Sequence, residues 1–186
     1  HSEFGYDVRG NLVARTRGER SQPTRLDAQG RVMAELAGEG AAALAALGSN
    51  PPAAAIEAVW AQWGVRIEYD AAGQRVAQTD ALGRRTLFYY DTVGRLSHQV
   101  NAMGEVVEYR YTAFGDLAQT LTHGQRVTAL SLGGLVGGEV TSAVASLFAG
   151  LQDATTRIER CSYAATGAVA QALDALGYAT TYLYNQ

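Results

Sequence analysis

The chain has 186 residues, 47% of them hydrophobic, a formal net charge of −3 and a pI near 5.6. That length suffices for a substantial core, and so weak an acidic balance gives no reason to expect nucleic acid or an anionic membrane as partner. One cysteine, Cys161, excludes an internal disulfide, and no apolar run reaches the roughly 18 residues of a membrane-spanning helix.

In chain order, Tyr6-Asp7-Val-Arg-Gly10-Asn-Leu12 is the first turn signal, and Leu26-Asp27-Ala-Gln-Gly30-Arg-Val32 repeats it in degenerate form 20 residues on. Between them, Arg15 to Arg25 carries four Arg and one Glu. This reads as a solvated edge whose charge discourages stray strand pairing, with an anionic-glycan site as the sharper alternative.

From Met33 the period breaks into an Ala-rich stretch, and 33–64 reads as a helical insert. Ser49-Asn-Pro-Pro signals a helix start, a capping side chain followed by Pro. Ile56, Val59, Trp60 and Trp63 then fall on one helical face, and Gly64 is expected to stop the helix in a left-handed conformation. A shorter helix is expected over Ala41 to Leu47. Trp60 and Trp63 share the apolar stripe and read as anchors onto a sheet, or alternatively as a sugar-stacking surface.

Residues 65–122 are the regular run. Tyr69-Asp70-Ala-Ala-Gly73, Asp80-Ala-Leu-Gly83, Tyr90-Asp91-Thr-Val-Gly94, Asn101-Ala-Met-Gly104 and Tyr111-Thr-Ala-Phe-Gly115 place Gly at alternate spacings of 10 and 11 residues. Thr86 to Tyr90 and Val106 to Tyr111 are β-branched and aromatic, the composition of strands. Phe88 and Tyr90 lie two apart and share a face, as do Tyr109 and Tyr111. The turn acid bonds the backbone ahead of it, and Gly supplies φ > 0. Each copy is therefore a β-hairpin, and the copies recur every 21 residues.

A second break, 123–154, reads as another helical insert: Leu130-Ser-Leu-Gly-Gly-Leu-Val-Gly-Gly is flexible and apolar, and Val140, Val144, Leu147, Phe148 and Leu151 have helical spacing. The strand pattern resumes over 155–186, through Tyr163-Ala-Ala-Thr-Gly167, Asp174-Ala-Leu-Gly177 and Tyr182-Leu-Tyr184. The chain begins and ends in mid-pattern and carries no signal-peptide pattern, which reads as a piece of a longer array.

Repeated in phase, Tyr-Asp-x-x-Gly-[Arg/Asn]-Leu, preceded by Gly-x4-[Phe/Tyr]-x, resembles the YD repeat of bacterial Rhs proteins, found also in the C components of insecticidal toxin complexes and in teneurins. The expected fold is mainly β, antiparallel hairpin repeats forming a curved sheet, with two helical inserts in a single structural domain. The resemblance implies an arc of a hollow shell around a C-terminal toxin or effector, in a secreted or cell-surface protein. The family's closing motif, with its autoproteolytic Asp, is not seen, which points to shell wall. A carbohydrate-binding or adhesion module is the alternative function.

No catalytic, cofactor or metal site is expected. His1, His98 and His123 lack partners at ligand spacing, His98 reading as a surface histidine, and no nucleophile elbow or phosphate loop occurs. The regular acids Asp7, Asp27, Asp70, Asp80, Asp91 and Asp174 invite a calcium reading, but each turn offers one carboxylate where calcium takes about six to eight oxygens. Unpaired strand edges at either end of such an array predict self-association.

Overall fold

The computed structural model describes residues 2–6, 10, 12–17 and 20–184. Asp7 and His1 lie outside the described residues, as do the side chains of Arg15, Arg17 and Arg20. The described residues are mainly antiparallel β, with four short helices. They fall into two compact units, 1–85 and 86–186. No helix among them is long and apolar enough to cross a membrane.

In the first unit, β1 (Ser2–Tyr6), β2 (Leu12–Arg17), β3 (Arg20–Leu26), β4 (Val32–Glu35), β5 (Val65–Tyr69) and β6 (Arg75–Thr79) pair antiparallel in sequence order. Two helices, α1 (Glu39–Ala46) and α2 (Ala53–Trp63), stand between β4 and β5. Their apolar stripe makes the core: Leu36, Ala34, Ala41 and Trp60 are buried, with Ile56, Val59, Leu44 and Trp63 packed against them. Strand β4 takes in 33–35, so the helical stretch begins later than the composition suggests.

Two helix-end expectations are corrected. Neither Ser49 nor Asn50 caps α2; the N-cap is Pro52, with no side-chain bond. Consecutive prolines hold the preceding backbone extended, so the helix starts only after the second. Gly64 is not left-handed but extended, at φ −73° and ψ 131°, and leads straight into β5. Glycine is needed there for space: a Cβ would strike the Trp60 carbonyl oxygen.

In the second unit, β7 (Arg85–Tyr90), β8 (Leu96–Val100), β9 (Val106–Tyr111), β10 (Leu117–Thr122), then β12 (Arg157–Tyr163), β13 (Val169–Leu173) and β14 (Ala179–Thr181) pair antiparallel in that order. Between β10 and β12 lie α3 (Ala129–Gly133), the two-residue β11 (Gly138–Glu139) and α4 (Ser142–Ala149). The Gly-rich stretch read as flexible is thus partly ordered: β11 runs parallel to β7, and the Val140 N–H extends that pairing to the Tyr90 carbonyl. Helix α4 is shorter than the spacing implied, because Thr141 caps its start by accepting from the Val144 N–H. Strand β14 stops at Thr181, short of Tyr182 and Tyr184.

The register separates two faces. Tyr89, His98, Glu108, Leu121 and Ile158 form one cross-strand row; Phe88, Gln99, Val107, Thr122 and Arg157 form the next row, on the opposite face. Helix α4 covers the first: the Phe148 ring meets Tyr89 edge-on at 5.3 Å and lies 4.6 Å from the His98 ring. Tyr89 and Phe148 are almost fully buried.

The turns at Asp27, Asp70, Asp80, Asp91, Asn101, Thr112, Ala164 and Asp174 each close through a glycine N–H to that residue's carbonyl, and the glycine has positive φ. At Gly115 (φ +95°) a Cβ would meet nothing within 4 Å, whereas at Gly104 (φ +77°) it would strike the Val127 carbonyl. Gly115→Ala is therefore expected to cost about 1–2 kcal/mol of backbone strain alone. Gly104→Ala is expected to cost clearly more, and urea unfolding of the two variants checks the order.

Candidate functional site

The most repeated constellation joins one repeat to the next. In the turn at Asp91, the backbone closes through Gly94 N–H to Asp91 O (2.9 Å) and Asp91 N–H to Arg95 O (2.9 Å). The carboxylate then takes three further bonds: Oδ1 accepts from the Val93 N–H (3.1 Å) and the Arg95 N–H (2.8 Å), and Oδ2 from Arg95 Nε (2.8 Å). Ion pairing turns the guanidinium so that it stacks 4.6 Å from the ring centre of Tyr111, one repeat on. The Tyr111 hydroxyl closes the loop by donating to the Leu96 carbonyl at 2.7 Å.

The first unit contains a second full copy. Asp27 Oδ1 accepts from the N–H groups of Gln29 and Arg31 (both 2.9 Å), and Oδ2 from Arg31 Nε at 2.7 Å. Arg31 lies 4.6 Å over the Tyr69 ring, and the Tyr69 hydroxyl donates to Val32 O at 2.9 Å. Two partial copies keep the tyrosine bond without the Asp–Arg pair: Tyr163 to Leu117 O (2.9 Å) and Tyr184 to Val169 O (3.0 Å). The tyrosine and its acceptor are 15 residues apart at Leu96–Tyr111 and Val169–Tyr184, but 37 and 46 apart where helical segments intervene.

Each repeat residue thus has a place. Asp70, Asp80 and Asp174 accept backbone N–H groups in their own turns. The glycines Gly10, Gly73, Gly83, Gly94, Gly104, Gly115 and Gly177 all have positive φ. Phe88, Tyr90, Tyr109 and Tyr111 share the face opposite α4; Phe88 is buried and the three tyrosines half-buried. Tyr6, Tyr182 and Tyr184 are exposed. The arginine after the turn glycine, Arg31 or Arg95, is the role sequence reasoning missed, although it stands at the same offset in both copies.

The carboxylates of Asp27, Asp70, Asp80, Asp91 and Asp174 are engaged in these turn bonds. Burial raises the Asp91 pKa, but the bonds from the Arg95 N–H, its guanidinium and the Val93 N–H outweigh it and hold the group below the ordinary 3.8. Asp80 is lowered chiefly by the Arg84 N–H. Burial, with the Asp91 charge adding, pushes the Tyr111 phenol up. Trp60 is only 8% exposed, beneath the Arg25 guanidinium at 4.4 Å, which itself pairs with Glu57. Its ring is withheld from a sugar; Trp63 is half-buried in the same cluster.

His98 is corrected from a surface position: it is half-buried against Phe148, with Nδ1 3.1 Å from Ser97 Oγ. Burial drives its pKa down to about 4, against the pull of Glu108 and with help from His123 and Arg110. His123, also buried, places Nε2 3.2 Å from Glu108 Oε2.

Two outcomes follow. Tyr111→Phe, which removes one stitch and keeps the ring, is expected to cost about 0.5–1.5 kcal/mol in urea unfolding. A folded-state pKa below the unfolded value means that the unfolded chain binds the extra proton. Stability should therefore fall as pH drops from 6.5 towards about 4 through His98, and further below 3.8 through Asp91. His98→Phe should flatten the upper window only.

Comparison with known proteins adds a match over part of the chain. Residues 69–102 and 90–128 match the RHS repeat. No curated protein matches the sequence. Among solved structures, the crystal structure of TcdB2-TccC3-TEV (TM-score 0.37), that of TcdB2-TccC3 (0.35) and the Photorhabdus luminescens Tc holotoxin pore (0.36) are similar at 13% identity over 97% of this chain. The chain spans 11% of the length of each. TM-scores of that size do not establish a shared overall shape.

Proposed function

We propose that this chain, whose residues 69–128 are RHS repeats, is a structural wall segment of a larger protein and performs no catalysis. One observation carries the reading: the tyrosine stitch returns in both units, each time to the carbonyl two residues past a turn glycine, and it spans separations from 15 to 46 residues. An interaction that ties each hairpin to its predecessor propagates without limit, as a wall requires and a closed catalytic domain does not. In this reading 1–32, 65–122 and 155–186 are the array, and 33–64 and 123–154 are inserts. The cargo enclosed is a C-terminal toxin or effector polypeptide, and the parent protein is secreted or held at the cell surface. The adhesion alternative gains no support from Trp60, whose ring is covered.

A wall segment also carries free sheet edges. Beside β14, Tyr178, Tyr182, Leu183 and Tyr184 are exposed, an apolar border that favours pairing between copies.

Electron microscopy of the whole polypeptide that carries this segment is expected to show a hollow particle with internal density, its enclosed region resistant to protease. A solid or extended particle with a protease-sensitive interior would overturn the reading. Sedimentation of the chain should show mass rising with concentration, and a strict monomer would count against edge pairing.

A further inference from the structure

The face opposite α4 is open between β8 and β12. There the register aligns Gln99, Val107, Thr122 and Arg157 across four neighbouring strands. Three strand steps of ~4.8 Å make the row roughly 14 Å long. All four residues line a cleft of about 630 Å³, whose wall includes the Glu105–Arg126 ion pair.

The polar groups of this row are unengaged. Among the described residues, Arg157 has no ion-pair or hydrogen-bond partner, and the side chains of Gln99 and Thr122 make no hydrogen bond. The cleft's other arginine, Arg126, is neutralised by Glu105. What remains is one free guanidinium at the end of the row, a hydroxyl and an amide that both donate and accept, and one aliphatic side chain between them.

The geometry points to an acidic peptide segment as ligand. We propose that it lies extended across β8 to β12, its carboxylate on Arg157 and its backbone bonded to Thr122 and Gln99. Length favours a peptide: about four extended residues at ~3.3–3.6 Å each span the row, whereas a free anion meets only the guanidinium. Chemistry disfavours a sugar, because no Trp, Tyr or Phe lines the cleft to stack a pyranose face, and the His123 ring in its wall is buried. Arginine suits the carboxylate because its planar fork takes both oxygens. The site belongs to this sheet face and does not depend on the wall reading.

The test titrates the full chain by NMR with a blocked alanine peptide closed by one glutamate, and with its glutamine twin. The glutamate peptide is expected to bind at least tenfold more tightly. Arg157→Gln should abolish that difference, and Arg157→Lys should retain a fraction of it, since charge survives and the fork does not. Thr122→Val should weaken both peptides without changing their ratio. Far-UV circular dichroism confirms folding; Arg157 and Thr122 are exposed, and should Arg157→Gln fail to fold, the lysine variant decides. Equal binding of the two peptides, no binding by the wild-type chain, discrimination that survives in Arg157→Gln, or discrimination undiminished in Arg157→Lys would overturn the proposal. So would galacturonate or inorganic phosphate binding as tightly as the peptide, since the site would then recognise charge alone.

Discussion

The structure depends on a phenol reaching back to a carbonyl. Tyr69, Tyr111, Tyr163 and Tyr184 each donate to the backbone of the residue two beyond an earlier turn glycine. One such bond is worth about 1 kcal/mol net, too little to hold a sheet. Its importance is positional. A strand slipped by one residue would present every side chain on the other face, and the hydroxyl would lose its acceptor. Burial supplies most of the stability, and the stitch selects the register in which burial occurs. The Asp–Arg pair serves the same end, because partly exposed ion pairs add about 0–1 kcal/mol but hold the guanidinium where the next ring can lie against it.

The second unit divides its chemistry between faces. The face that Phe148 of α4 meets carries buried Tyr89, Val100, Val106 and Leu121, and burial there pushes His98 far from its ordinary titration range. The other face carries the half-buried tyrosines and, towards β12, a polar row open to ligands. A sheet with a sealed side and a chemically available side is suited to separating two environments.

Much of this was legible in the sequence because the repeat is local. Glycine spacing, the turn acids and the β-branched runs act within a few residues, so β5 to β10 fall close to where the pattern puts them. The stripe Ile56, Val59, Trp60, Trp63 likewise marked α2. What could not be read was decided at a distance. Tyr89 sits between Phe88 and Tyr90 in a run that is apolar on both faces, so alternation does not say which ring is sealed. The burial of His98 depends on Phe148, 50 residues further on. Strand β11 is two residues long and exists only because β7 offers it an edge. Gly64 reads as a helix stop by type, yet its role is to clear the Trp60 carbonyl, which no spacing encodes.

The varied separation between each tyrosine and its acceptor has a consequence for how such chains change. Since the bond registers proximity and ignores contour length, a hairpin end can admit a helix pair, or a helix–strand–helix segment, without disturbing its neighbours. New surfaces are thus acquired by lengthening the thread at a seam while the weave on either side stays intact, and novelty in this architecture is expected to gather at those seams.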